Sequence, residues 1–165
     1  MKKPNSSPYM IKSVSELHRL FALPKPNHPL VSVIDFELLS YKHSDIWKHF
    51  SNDFYCITIK NGTNGKFKYG QRDYDFEEGM MTFTKPGQVF SVTEIKDHSV
   101  TGFMLIFKSE LIRNYPLGKN IKNFGFFSYS VAEALHLSEK EDEVINSLLR
   151  QMQNELKNNI DHYSQ

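Results

Sequence analysis

Cysteine is nearly absent from this chain. Among 165 residues only Cys56 carries a thiol, so no intrachain disulfide and no cysteine-built zinc cluster can form, and nothing points to an oxidising compartment. An excess of one charge is missing too: 20 Lys and Arg stand against 19 Asp and Glu, a net charge of +1. A free-standing nucleic-acid binder normally shows a basic face dense enough to neutralise several phosphates, so this balance argues against direct DNA binding by these residues alone. Long apolar runs are also lacking. The longest, Phe103-Met104-Leu105-Ile106-Phe107, has five residues, against about 20 for a membrane span and about 7–15 for a signal-peptide core. A cytoplasmic protein with no membrane partner is the expectation. The length suits one compact domain.

Aromatic residues are plentiful: 13 Phe, 8 Tyr and 1 Trp. Such side chains favour pleated, half-buried surfaces and point to β structure. Residues 1–10 are polar at their start, with two prolines, and read as a flexible terminus. Ser13-Val14-Ser15-Glu16 has capping-box spacing, and Val14, Leu17, Leu20 and Phe21 follow at helical intervals until Pro24 and Pro26 end the helix. From Leu30 to Phe107 the signals are strands and turns. Phe54 to Ile59 is a β-rich run stopping at Asn61-Gly62, and Lys66-Phe67-Lys68-Tyr69 alternates charge and aromatic with period two. Pro86-Gly87 is a turn signal, and Gly102 to Phe107 suits a strand covered on both faces. Short strands at this density predict a barrel or sandwich.

Beyond Phe107 the texture becomes helical. Ser109 to Arg113 reads as a turn or two of helix, and Gly118 to Tyr129 as an aromatic loop. Ser138 and Glu141 form a second capping box, after which Val144, Ile145, Leu148, Leu149, Met152 and Leu156 recur on one stripe. An amphipathic helix of about 20 residues, some 30 Å long, follows from that pattern. The stripe also has the form of a self-complementary dimer seam, with Ile145, Leu148, Leu149, Met152 and Leu156 as candidate interface residues.

Catalytic patterns are missing. The seven histidines, His18, His28, His43, His49, His98, His136 and His162, show no His-x-His or helical metal-ligand spacing. Asp73, Asp75, Glu77 and Glu78 alternate with Tyr74 and Phe76 and read as the solvated side of a hairpin rather than an acid–base pair. Cys56 lies within an apolar run, where a thiol is a small inert hydrophobe. No Gly-x-Ser-x-Gly or phosphate-binding loop occurs. The reading is therefore of a protein that is not an enzyme and carries no cofactor and no metal.

The run Tyr74-Asp75-Phe76-Glu77-Glu78-Gly79, continued by Met80 to Gln88, resembles the turn-and-strand signature of the cupin-like sensor domain of AraC-type (AraC/XylS) transcription regulators. Pro116-Leu117-Gly118-Lys119 and Phe126-Phe127-Ser128-Tyr129, leading to Glu133 through Glu141, resemble the same group, in a form typical of Bacteroidetes-like bacteria. The resemblance implies a mainly β fold with some α: a cupin-like jelly-roll barrel over residues 11–130 with a short N-terminal helix. Over 131–165 it implies an amphipathic helix or helical hairpin that links and dimerises. The helix-turn-helix domain of such regulators is absent from this chain, and Ser138 to Gln165, with three basic and six acidic residues, has the wrong sign for a phosphate-binding face. Metal-binding cupins carry two histidines and a glutamate upstream of a glycine like Gly79. Here Lys66, Lys68 and Arg72 stand at those positions, and cationic side chains do not chelate a divalent metal.

The expectation is a ligand-sensing and dimerisation domain of a bacterial regulator: a homodimer with an unknown small-molecule effector, reaching DNA only through the missing domain. Tyr55, Phe67, Tyr69, Phe83, Phe103 and Phe107 are the candidate ligand-pocket residues. A metal-dependent cupin enzyme and a ligand-free dimerisation module are the alternatives.

Overall fold

The computed structural model describes residues 7–39, 45–61, 66–69, 72–75, 79–92, 101–127 and 135–158, with Val92 and the strands 66–69 and 72–75 described by their backbone alone. Two five-stranded sheets face one another. The first is built from β1 (Tyr9–Ile11), β3 (Phe50–Asn52), β8 (Val89–Val92), β5 (Lys66–Tyr69) and β6 (Arg72–Asp75), in that spatial order. The second runs β10 (Leu135–His136), β7 (Met80–Thr84), β4 (Tyr55–Asn61), β9 (Thr101–Phe107) and β2 (Val31–Asp35). Every pairing is antiparallel except β1 with β3. The arrangement is a mainly β, cupin-like jelly roll with helical additions.

The second sheet is covered on both sides because its strands alternate strictly. Inside, Ile34, Cys56 and Ile106 join Phe50 and Phe90 of the first sheet in one core, closed at its end by Ile11, Val14, Leu17, Phe21 and Trp47. Phe21 stacks on Trp47 at 5.0 Å, and Phe50 meets the edge of Trp47 at 5.2 Å. Outside, Val31, Val33, Tyr55, Ile59, Phe103, Leu105 and Phe107 pack beneath the C-terminal helices with Ile112, Ile121 and Leu149. The run Phe103 to Phe107 is apolar throughout because each alternate residue serves a different core.

Helix α1 (Val14–Leu20) starts where the spacing predicts. Ser13 Oγ accepts the Glu16 amide, yet the Glu16 carboxylate reaches past the cap to the Lys12 amide (2.8 Å) and the Tyr9 hydroxyl (2.6 Å). The helix ends in a Schellman pair, Leu23 N–H to His18 O and Ala22 N–H to Arg19 O, with Ala22 in the left-handed region at φ 57°. Lys108 Nζ, at the end of β9, donates to Lys12 O and to Asp53 Oδ2, both at 2.9 Å, and so fastens this N-terminal segment to the sandwich.

Three elements differ from the sequence reading. The N-terminal strand begins at Tyr9, inside the segment read as flexible, because β3 offers it an edge and His49 O accepts the Tyr9 amide. Residues 116–127 form α3 (Pro116–Asn120) and two 3-10 turns rather than a loop, with Pro116 at the first turn, where its missing amide costs nothing. Leu135–His136 is a strand paired with Met80 and Met81 before the last helix begins. That helix, α4 (Glu139–Lys157), carries the complete capping box of Ser138 and Glu141, while α2 covers Ser109–Ile112. Among the described residues no helix is long and apolar enough to cross a membrane.

His18 is buried between α1 and β2. Its Nδ1 donates to Pro24 O (2.6 Å), which leaves Nε2 to accept from the Ser32 hydroxyl (2.8 Å), and burial holds its pKa below the ordinary imidazole value. On acidification the unfolded chain therefore takes up this proton first. The His18 contribution is fully present above the unfolded value, about 6.5, and is lost as pH falls below it. Urea denaturation between pH 5 and 8 is expected to show a stability decline below about pH 6.5 that His18→Gln flattens; parallel curves for the two proteins would refute the assignment.

Candidate functional site

The interior between the sheets is read from the pairing of β4. Cys56 lies opposite Thr84 and Ile106, Thr58 opposite Thr82 and Met104, and Lys60 opposite Met80 and Gly102. On the next strand, Ser32 pairs with Ile106 and Ile34 with Met104. Directly paired residues share a face, so these form three successive rungs of the inner wall. The first rung belongs to the packed aromatic core through Cys56 and Ile106. Towards the other end the wall becomes more polar, with Thr58, Thr82 and finally Lys60, the last inward residue of β4.

Lys60 is the anomaly of this wall. It is only 7% exposed, and its Nζ lies over the Phe36 ring, 5.1 Å from the centroid. Loss of hydration is the chief cause that brings its pKa down from 10.5 to about 8, and the nearby Cys56 works in the opposite direction. Opposite it, Gly102 has φ +115°, and a Cβ there would sit 2.2 Å from Ile59 O. Only glycine permits this close approach of β9 to β4 at the Lys60 rung. Cys56 lies deeper, 3.3 Å from the Thr58 hydroxyl, and burial pushes its thiol pKa up, which makes it a poor nucleophile. Thr84 Oγ1 and Asn52 Oδ1 are buried with no hydrogen-bond partner among the described residues.

The aromatic residues singled out from the sequence lie elsewhere. Tyr55, Phe103 and Phe107 belong to the outer core beneath the helices, where Tyr55 stacks on Phe107 at 5.3 Å and meets the edge of Phe127 at 5.1 Å. Phe83 stacks on Phe126 at 5.0 Å on that same outer side. The structure thus brings these four together under the helical cover rather than around the interior. The reason is the period of two: when Cys56, Thr58 and Lys60 point inward, Tyr55, Ile57 and Ile59 must point out. Phe67 and Tyr69 pair with Val92 and Phe90 in backbone register, and their side chains lie outside the described residues, as do Phe76, Glu77, Glu78, His43, His98 and His162. Lys60 escaped the sequence reading because a single lysine in a β run looks like a solvent-side residue. The signal was its placement two residues after Thr58 and four after Cys56, on the opposite parity from Tyr55, Ile57 and Ile59.

The candidate seam residues on α4 also divide. Leu149 is 4% exposed within the outer core, and Ile145 and Leu156 pack against that core, half-buried. Gln153 Nε2 donates to Val33 O at 3.4 Å, and the Arg150 guanidinium lies over Phe103 at 5.6 Å. Leu148 and Met152 face outward, 52% and 40% exposed, and Val144 is 51% exposed. Elsewhere a groove of about 1140 Å³ runs between the N-terminal strand and residues 45–49. Its carboxylates are engaged locally, Glu16 by Tyr9 and Lys12, and Asp45 by Lys48 at 2.6 Å. No cluster of three or more His, Cys, Asp or Glu side chains occurs among the described residues.

Residues 36–163 match the model of a family described as the AraC-like ligand binding domain. No curated protein matches the chain.

Lys60→Met is expected to raise stability at pH 7 by on the order of 1–3 kcal/mol, because an apolar side chain of similar length avoids the cost of burying an ammonium. The folded pKa is depressed, so the penalty is complete below pH 8 and is relieved as pH rises from 8 towards the unfolded value near 10.5. The gap between variant and wild type in chemical denaturation therefore closes over that window. Gly102→Ala is expected to lower the melting temperature, since the positive φ and the Ile59 carbonyl both exclude a Cβ.

Proposed function

The chain belongs to the AraC-like ligand binding domain family, and on that premise we propose that it is the ligand-sensing and dimerisation half of an AraC-type transcription regulator, acting in the cytoplasm as a homodimer. The observation that carries this reading is the extent of the family match, residues 36–163, which takes in β3 to β10 and α4. DNA is contacted by a separate unit with two helix-turn-helix motifs, and these residues receive the signal. Bacterial origin accompanies the same reading. The regulatory class argues against catalysis, and the inner wall supports that view: its thiol is buried, and burial raises the thiol pKa.

The second sheet supplies a route from ligand to helix. Along β9, Gly102, Met104 and Ile106 line the interior, whereas Phe103, Leu105 and Phe107 support the helices. A ligand that shifts the Lys60 and Gly102 rung displaces the neighbouring Phe103, on which Arg150 of α4 rests. Because a sheet cannot move one face without the other, the interior and α4 are coupled through single peptide units. Switching requires that the ligand bind the two arrangements with different affinity.

The exposed triplet Val144, Leu148 and Met152, spaced by four residues, is the favoured dimer seam, and Leu149 is its anchor to the chain's own core. The double variant Leu148→Glu and Met152→Glu is expected to sediment as a monomer with its melting temperature within a few degrees of wild type. A dimer that persists in that variant would place the interface elsewhere. Leu149→Ala, in contrast, is expected to cost about 2–5 kcal/mol of stability, as large-to-small core substitutions do. Screening small metabolites by thermal shift tests the sensor itself: a ligand at 100 times its Kd adds about 2.7 kcal/mol to native stability. A module that only dimerises shows no such response.

A further inference from the structure

The exposed flank of α4 bears on what it meets in a dimer. We propose that α4 does not pack on α4: its Leu148 flank in one copy seats on the 113–124 surface of a second copy, and the contact repeats across a two-fold axis. This rests on the reading of Val144, Leu148 and Met152 as the seam and names the surface they cover.

Spacings of three and four residues place Glu141, Val144, Leu148, Met152 and Glu155 in one row along α4, about 21 Å long. All five are exposed, so the row is apolar in its middle and acidic at both ends. Glu141 accepts from the Ser138 hydroxyl and amide, which hold its pKa below the ordinary carboxylate value. Lys140 lies off the row, about 80° around the helix from its centre. A second copy of this row is a poor partner. Antiparallel helices centred on Leu148 bring Glu141 to the partner's Glu155, and parallel helices bring each glutamate to its own counterpart. Acids then face acids in both arrangements, and such juxtaposition opposes association.

The 113–124 surface has the complementary order. Arg113 and Lys122 bracket Tyr115, Leu117 and Phe124, and all are exposed. Over 109–127 the bases Arg113, Lys119 and Lys122 outnumber the single acid, Glu110. The surface is also held in shape. Gly118 N–H donates to Tyr115 O at 3.0 Å, and a Cβ at Gly118 would collide with the Ile112 carbonyl, so α3 closes tightly on the end of α2. Among the described residues, seven of the eleven exposed large hydrophobics fall between Tyr115 and Met152, and a concentration of that kind marks an interaction face. Tyr, Phe, Met and Arg are also the residue types enriched in interfaces.

Both surfaces belong to the cover on the outer side of the second sheet. Ile112 and Ile121 share their core with Leu149 of α4. Arg150 lies over Phe103, near the start of β9, whereas α2 follows the other end of that strand at Phe107. Leu148 is about 160° around the helix from Arg150 and is therefore turned toward the α2 and α3 side. Two unlike surfaces side by side suit a two-fold axis between them: each α4 row meets the partner's 113–124 surface, and every contact is made twice.

The test is the dimer dissociation constant of the full chain by sedimentation equilibrium, with circular dichroism to verify the fold of each variant. Glu155 is the acid to reverse, because it leaves the helix cap intact. Glu155→Lys is expected to weaken the dimer roughly tenfold or more, since the change acts twice per dimer, and Arg113→Glu with Lys122→Glu to weaken it similarly. Combining all three reversals is expected to restore most of the lost affinity. Glu143→Lys, on the Arg150 flank, is expected to leave it within about twofold of wild type. A dimer that tightens or is unchanged in Glu155→Lys overturns the proposal, tightening being the result that α4 packed on α4 would give. Failure of the combined variant to recover, while it remains folded, overturns it as well. In each of these cases the seam still stands if Leu148→Glu with Met152→Glu yields monomer. A wild-type protein that is monomeric at every concentration, or a dimer that survives that double variant, removes both readings.

Discussion

Burial of the second sheet on both faces is the constraint on which the rest of this structure depends. Its central strands, β4 and β9, cannot satisfy one core without presenting their alternate residues to another. Ile106 and Cys56 enter the aromatic core between the sheets, and their neighbours Phe107 and Tyr55 enter the core under the helices. A one-residue slip in register would exchange the two sets: Lys60 would move into the helical core and Tyr55 into the first rung. The pairing of β4 with β9 over its whole length and with β7 from Cys56 to Lys60 thus decides at once which residues line the interior and which support the C-terminal helix.

That double role underlies the proposed coupling between the interior and the C-terminal helix. The interior differs in chemistry from one end to the other. One end is filled by Phe21, Trp47, Phe50 and Phe90 and sealed by α1, whereas the other carries a buried cation, hydroxyls and a glycine in the left-handed region. Burying an ammonium opposes folding, and a structure tolerates it most readily where another function profits. The stable end supplies rigidity, and the polar end supplies chemistry. Between them, β9 joins the interior to α4, since Arg150 lies over its outward residue Phe103. Coupling of this kind needs no long pathway, because the inward and outward residues are adjacent in the chain.

Much of the fold was legible in the residues because local rules and tertiary context agreed there. The Ser138 and Glu141 capping box, the Pro86-Gly87 turn with Gly87 at φ +82°, and the apolar run ending at Phe107 all appear where the pattern places them. The short elements that need a partner were not legible. Tyr9–Ile11 and Leu135–His136 are strands only because β3 and β7 present open edges to them. Residues 116–127 become helical only when Ile121 and Phe127 find the outer core.

The candidate site was the least legible part. Aromatic content pointed to large pocket walls, and the amphipathic stripe pointed to a seam, but hydrophobicity alone does not say which of two cores a side chain enters. The residues by themselves determined that the chain is a β-rich domain with a capped amphipathic helix and no apolar run long enough for a membrane-crossing helix, because these features depend on periodicity, capping and composition. Only the tertiary structure decided that Tyr55, Phe83, Phe103 and Phe107 face the helices, that Leu149 is core while Leu148 and Met152 are surface, and that Lys60 points inward. Those assignments turn on which face of each element is covered, and covering is a property of the packed chain.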